Sequence, residues 1–310
     1  MCFTENFMQY LVNGLANGFL YALIALGYTL VYGVLQLINF AHSEVFMSGG
    51  FAGYFVLQAV VGRQPHGLMS VLMIVLGIVA GACGGGLIAF LLERVAYRPL
   101  RRRKAPKLAF LISAIGASYF LFNLAGKEFG RTSLSVPYIL NGTNSGIAFT
   151  FLGAQVQTMY LIWAAAAIVL LVSLDRVVAK TKLGQGIRAV AEDAETASLM
   201  GVNIDRVISQ AFVLGGLLGG AAGFLYALNF GVVYTMGFTP ALKAFTAAVL
   251  GGIGNLRGAM LGGLVLGVAE SLPLSCVNFN WQDVIAFGIL IVVLLFRPMG
   301  LLGERLGRSA

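Results

Sequence analysis

Apolar residues in this chain fall in long unbroken runs rather than short periodic stripes. That pattern predicts helices that cross a bilayer. A crossing helix needs about 20 apolar residues, or somewhat fewer where neighbouring spans shelter its ends. Runs of this kind occupy 9–33, 40–60, 68–92, 108–125, 156–174, 207–227, 258–274 and 282–297, and a shorter run, 240–253, either spans or re-enters. The expected fold is all-α, a polytopic membrane protein of about 8–10 transmembrane helices. About nine crossings suit the charges best.

The polar breaks hold the basic residues. Arg94, Arg98, Arg101, Arg102, Arg103, Lys104 and Lys107 share the connection 93–107, and Arg176, Lys180, Lys182, Arg188 and Arg206 lie in or beside 175–206. Arg257 precedes the last helices, and Arg297, Arg305 and Arg308 sit in the tail. With nine crossings all four groups share one face, which an excess of Lys and Arg marks as cytoplasmic. The opposite loops hold only Arg63, Lys127 and Arg131. This orientation puts the N-terminus outside and the C-terminus in the cytoplasm. In the longest outer loop, 126–157, the segment Phe149-Thr150-Phe151 among turn residues predicts a small surface hairpin.

Composition agrees. The chain is 59% hydrophobic and 10% charged, against about 25% charge in a soluble domain, and its mean hydropathy is +0.89. The net charge of +8 would suggest nucleic acid were the bases not confined to breaks between apolar runs. Glycines recur at small-xxx-small spacing, as in Gly14/Gly18, Gly81/Gly85, Gly215/Gly219/Gly223 and Gly263/Gly267. That spacing predicts close helix packing in a compact body. Cys2, Cys83 and Cys276 share no motif spacing, so neither a disulfide framework nor a metal site is expected. Nor is a cleavable signal, because Met1 to Phe7 lacks a basic residue and the first apolar run is too long.

One polar island stands out, Arg188 to Arg206. Asp193 is placed to cap a short helix, Glu195 falls in its first turn where an anion is favoured, and Gly201 can close its end. Asp205 is placed to cap the next apolar run. A short capped helix between two spans looks built to dock into another protein.

Two segments echo one another. Asn39 to Gly50 and Thr239 to Gly252 each open on polar residues with a cap signal and end in paired glycine. Short or broken helices in corresponding halves point to a transport pathway at a repeat interface. Ionisable residues in membrane runs are candidates for that pathway. His42 and Glu44 form a relay or substrate contact, or else Asn39 caps a helix whose first turns carry Glu44. Glu270 lines a cavity or meets outside solvent, and Lys243 faces a pathway or not. Tyr21, Tyr28 and Tyr32 share a helical face. Core packing or an interfacial belt competes with a substrate role for them.

Absences narrow the chemistry. No G-x-x-x-x-G-K-[ST] loop occurs, since the one Gly-Lys pair, Gly126–Lys127, lacks the upstream glycine and precedes Glu128. There is no H-E-x-x-H and no G-x-S-x-G, and the chain holds only two histidines. No catalytic residue, metal site or cofactor of its own is expected.

These residues resemble the membrane permeases of ABC importers for branched-chain amino acids, specifically the H-type subunits, over nearly the whole length. The resemblance is carried by Tyr21-Ala-Leu-Ile-Ala-Leu-Gly-Tyr-Thr-Leu-Val-Tyr-Gly33, Ile38-Asn-Phe-Ala-His-Ser-Glu44, Glu93-Arg-Val-Ala-Tyr-Arg-Pro-Leu100 and Leu111-Ile-Ser-Ala-Ile-Gly116. Ala191 to Gly201 and Lys243-Ala-Phe-Thr-Ala-Ala-Val-Leu-Gly-Gly-Ile-Gly254 complete it. Ser43 stands where such permeases usually carry glycine. The resemblance implies one transmembrane permease domain over 1–310. It also implies a second permease (copy or paralogue), two ATPase subunits that bind ATP and Mg, and a periplasmic binding protein. It maps the ATPase-coupling helix to Glu192, Asp193, Ala194, Ala197, Leu199, Met200 and Gly201. Tyr28, Asn39, His42, Glu44, Lys243 and Glu270 remain the pathway candidates. Permeases for urea or short amides are alternatives within the family. Outside it, a stand-alone ion-coupled transporter is the rival, with His42, Glu44 and Glu270 its only proton carriers.

Overall fold

The computed structural model describes residues 7–37, 39–60, 68–136, 146–275, 281–297 and 299–303. Cys2, Cys276, Arg63, Arg305, Arg308 and the middle of the outer loop lie outside the described residues. The helices are α1 (Phe7–Leu35), α2 (His42–Val60), α3 (Leu68–Leu92), α4 (Arg98–Arg102), α5 (Lys107–Glu128) and α6 (Thr158–Lys180). They continue with α7 (Lys182–Glu192), α8 (Ala194–Leu199), α9 (Ile204–Phe230), α10 (Phe238–Gly251), α11 (Leu256–Ser271) and α12 (Gln282–Phe296). The expected hairpin is present as antiparallel β1 (Ile147–Phe151) and β2 (Ala154–Gln157). It turns on Leu152 and Gly153, both at positive φ.

Among the described residues five helices are long and apolar enough to cross a bilayer alone: α1, α3 with its extension to Arg102, α5, α6 and α9. The run 240–253 resolves as α10, bent by 118° from α11, a break of the kind that marks a broken span or a re-entrant loop. The 15-residue α12 is a further, shorter apolar helix.

α1 and α9 form the centre, each 78% buried over its most apolar stretch, against 17% for α5 and α6. Glycine decides how closely the others approach. The Gly14/Gly18 pair of α1 packs on Gly263/Gly267 of α11, where a Cβ on Gly267 would lie 2.5 Å from the Gly18 Cα. The Gly81/Gly85 pair of α3 meets α9 through Gly216 and Gly220, one position on from the predicted row, and a Cβ on Gly85 would sit 2.5 Å from the Gly216 carbonyl oxygen. The row Gly215/Gly219/Gly223 instead faces α1 and α2. So α9 is smooth on two faces at once, which lets three helices crowd it.

Contacts place the basic connections at one end. Arg98 pairs with Asp205 at the start of α9, and Arg257 with Asp175 near the end of α6. The Leu301 and Leu302 amides of the tail bond the Leu250 and Gly251 carbonyls at the end of α10. At the opposite end Leu134 pairs with Val232, and Gln9 bonds the Gln155 backbone.

Three local expectations are corrected. The connection 93–107 is largely helical: α3 runs through a π-helical turn, Glu93–Tyr97, into α4. Pro99 explains the wide turn, because it has no N–H to offer the Val95 carbonyl. The segment 175–206 holds two helices rather than one, and α6 itself continues to Lys180. The cap of α9 is Asn203, whose side chain accepts from the Arg206 N–H, and not Asp205.

Candidate translocation and coupling sites

Tyr28, Asn39, His42 and Glu44 come together about halfway along the bundle. The first turn of α2 packs on Gly219, near the middle of the 27-residue α9. Asn39 caps α2 by accepting from the Ala41 N–H at 3.1 Å, and the same oxygen accepts from the Tyr97 hydroxyl at 2.8 Å. The His42 ring fills the space that Gly27 and Gly219 leave, with its centroid 4.5 Å from that of Tyr28. Glu44 is buried in the first turn of α2, and its Oε1 accepts from the Ser43 and Ser118 hydroxyls, both at 3.0 Å. The cap is present, and the Glu44 carboxylate is buried among polar partners.

α10 begins at the same depth, where Gly237 packs directly against the Ser43 carbonyl. The two echoing segments thus bring their helix starts to one place. Between them lies a cavity of about 160 Å³, lined by Tyr28, Phe40, Ser43, Ser118, Phe238 and Leu242 among others. Ser118 on α5 is a lining residue that sequence reasoning missed. One hydroxyl in an apolar run has no signal of its own.

Lys243 and Glu270 belong to a different cluster. Lys243 Nζ lies 3.1 Å from Glu270 Oε2 and 2.9 Å from Asp283 Oδ1. Glu270 Oε1 accepts from the Tyr21 hydroxyl at 2.6 Å and from Gln282 Nε2 at 2.8 Å. Glu270 is wholly buried, so it does not meet outside solvent. Neither residue lines the cavity; they tie α10, α11 and α12 to α1. Tyr21, Gln282 and Asp283 were not foreseen here, because partners this far apart in sequence leave no local pattern.

The coupling segment sits at the basic end. Thr181 caps α7 by accepting from the Gly184 N–H and bonds the Val177 carbonyl. α7 is amphipathic and buries Gly184, Gly186, Ile187 and Val190, while Arg188 donates to the Val178 carbonyl. Glu192 ends α7 and so lies outside α8. Asp193, in extended backbone, caps α8 through the Glu195 and Thr196 N–H groups at 2.8 and 3.2 Å. The Thr196 hydroxyl bonds the same carboxylate, and with those two backbone N–H groups it holds the Asp193 carboxyl below the usual range.

Gly201, at φ +85°, ends α8. Its N–H bonds the Ser198 carbonyl, and the Val202 N–H bonds that of Ala197. This is the Schellman pattern, and its left-handed residue suits glycine. Ala197 is buried, but Leu199 and Met200 are 85% and 81% exposed. Behind them Asp205 takes Arg98, Arg101 and Arg102 at 3.1, 2.5 and 3.2 Å. Arg101 also reaches Glu93, which accepts from Ser209. The result is a short helix, pinned at both ends and backed by an ionic clamp, that presents two large apolar side chains to solvent.

A bundle of this kind, with short helices meeting at mid-depth and a capped helix at its basic end, has the architecture of a transport permease. Residues 10–294 match the family described as branched-chain amino acid transport system / permease component, and the chain belongs to that family. It is 41% identical to the high-affinity branched-chain amino acid transport system permease protein LivH of Salmonella typhimurium, covering 96% of both chains. It is 40% identical to the corresponding BraD protein of Pseudomonas aeruginosa over the same shares. A probable LivH of Methanocaldococcus jannaschii is 28% identical, covering 92% of this chain and 89% of its own.

Proposed function

We propose that this chain imports leucine, isoleucine and valine across a bacterial inner membrane as one permease of an ABC transporter. Two ATPase subunits bind ATP and Mg and drive it, a second permease completes the path, and a periplasmic binding protein delivers the amino acid. The substrate class rests on the LivH and BraD relatives. The mode of drive rests on α8. Leu199 and Met200 held in water on a rigid turn have no purpose within this chain, but they suit an apolar groove of an ATPase. The acidic start of α8 and its glycine stop fix the angle at which it enters. ATP-driven closure of the partners would then move α6 and α9, which flank the segment, between inward- and outward-open arrangements. With the basic end in the cytoplasm, the N-terminus is periplasmic and the C-terminus cytoplasmic.

The test is uptake of labelled leucine and urea in cells lacking and regaining this gene. Regained leucine uptake without urea uptake supports the assignment, and the reverse overturns it. Gly201→Pro and Glu192→Lys are expected to leave ATP hydrolysis running while leucine uptake falls at least tenfold. Normal uptake in both variants would refute the role given to the segment.

A further inference from the structure

The mid-depth cavity has features that helix packing does not need. Its walls are apolar on most sides, from Phe40, Ile115, Phe238 and Leu242. Tyr28, Ser43 and Ser118 bring hydroxyls to its lining; Ser118 donates to Glu44 Oε1, and the Ser43 hydroxyl lies within reach of both that oxygen and the Phe40 carbonyl. A hydroxyl whose proton is committed to a carboxylate turns its lone pairs outward, so it accepts hydrogen bonds from whatever enters. Behind both serines stands a buried carboxylate for which the described residues supply no pairing cation. Buried charges are ordinarily paired. A cation that enters the pocket would find this carboxylate unpaired by the described residues.

The backbone beside it makes a second, independent point. The stretch 231–237 is not helical, yet Met236 reaches Gly50 and Gly237 reaches Ser43, both well inside the bundle. Of these residues Thr235 is exposed, and Phe238 and Thr239 beside it open α10, which has no side-chain cap. Non-helical backbone at membrane depth is tolerated only against protein or a water-filled passage. The stretch around Thr235 therefore faces protein or water rather than lipid.

We propose that this cavity is a transient binding site on the translocation path, where Ser43, Ser118 and Glu44 receive the α-ammonium of an aliphatic amino acid and the apolar walls receive its side chain. Size agrees, since an apolar cavity of roughly 150 Å³ admits a molecule as large as benzene, and an isobutyl or sec-butyl group is no larger. The ammonium supplies a cation to pair with that carboxylate. Glu44 acts through the two hydroxyls, so it is a positioning residue. The inference rests on the import of branched-chain amino acids proposed above.

The experiment uses the complete transporter, with both permeases, the ATPases and the binding protein, in proteoliposomes. Ile115→Trp and Ser118→Val narrow the cavity or remove its hydroxyl, and the readout is the leucine-to-alanine uptake ratio relative to wild type. The binding protein is the same throughout, so its preference cancels. A pocket that senses one methylene or more discriminates by about tenfold, and the ratio is expected to fall by that factor in Ile115→Trp. A second measurement does not depend on those variants assembling. With the three native cysteines replaced, Ser118→Cys is expected to react with a methanethiosulfonate reagent during ATP turnover. Leucine should slow that reaction, and Glu44→Gln should abolish the protection. Wild-type transporter that fails to import leucine overturns the functional reading itself. Leucine import with an unchanged ratio, or with a thiol that is unreactive or unprotected, overturns the site and leaves that reading standing.

Discussion

The Lys243 cluster permits a quantitative test of how the bent α10–α11 pair is held. The ammonium lies 3.1 Å from Glu270 and 2.9 Å from Asp283. At an effective dielectric of about 20, the attraction to Glu270 is about 5 kcal/mol before desolvation. The two carboxylates are not equivalent, because the Glu270 side chain is fully buried and that of Asp283 is 56% exposed. Lys243→Met therefore strands a carboxylate that water cannot reach, and breaking a buried pair in this way costs about 3 kcal/mol or more. Glu270→Gln is milder. Its amide oxygen still accepts from Tyr21, and Lys243 keeps Asp283, so the expected loss is about 1 kcal/mol. The double variant is expected to lose only about 2 kcal/mol, which is a coupling of about 2 kcal/mol in a double-mutant cycle. Unfolding by SDS in mixed micelles, followed through emission of the buried Trp163, measures each value. Additive single losses, or Lys243→Met as stable as wild type, would refute the assignment of these groups as one ionic unit.

Two further predictions concern the basic end. Asp205→Asn removes the charge that gathers Arg98, Arg101 and Arg102, and it is expected to lower stability by about 1–3 kcal/mol and to speed amide exchange in α4, which hydrogen–deuterium exchange reads directly. The Asp193 carboxyl is held below its usual range by its bonds to Thr196 and Glu195. Its contribution to α8 is therefore complete above the ordinary carboxylate range and fades as pH falls through the lowered value. Protection of the Thr196 amide should follow that acidic window, and in Asp193→Asn it should become independent of pH.

Much of the architecture was legible because a membrane imposes simple rules. Spans need length, loops need orienting bases, and close helices need glycine, so the runs, the basic end and close packing at Gly14/Gly18 and Gly263/Gly267 all followed, though not that these two pairs meet each other. The short capped helix was legible too, because Asp193, Glu195 and Gly201 act within a few residues of one another. Relations across the bundle were not. That Glu270 is buried against Lys243, or that Ser118 turns towards Glu44, depends on helices distant in sequence meeting at one depth. The run 240–253 was ambiguous for a related reason, since hydropathy reports length but not the 118° bend between α10 and α11. Asp205 misled because it has the chemistry of a cap, and Asn203 two residues earlier had a prior claim on the helix start.

The three arginines on Asp205 also have a mechanical meaning. They weld the lower ends of α3 and α9, so neither helix can tilt without the other. Higher up, the same two helices approach through glycine backbone at Gly85 and Gly216, with Phe224 and Leu217 set into the spaces left by Gly77 and Gly86. A push delivered at α8 therefore meets a lever that is stiff at the handle and closely fitted along its shaft. Partway along that lever Gly219 packs on His42, one residue from the cavity-lining Ser43, so a rotation of α9 would bear first on the start of α2.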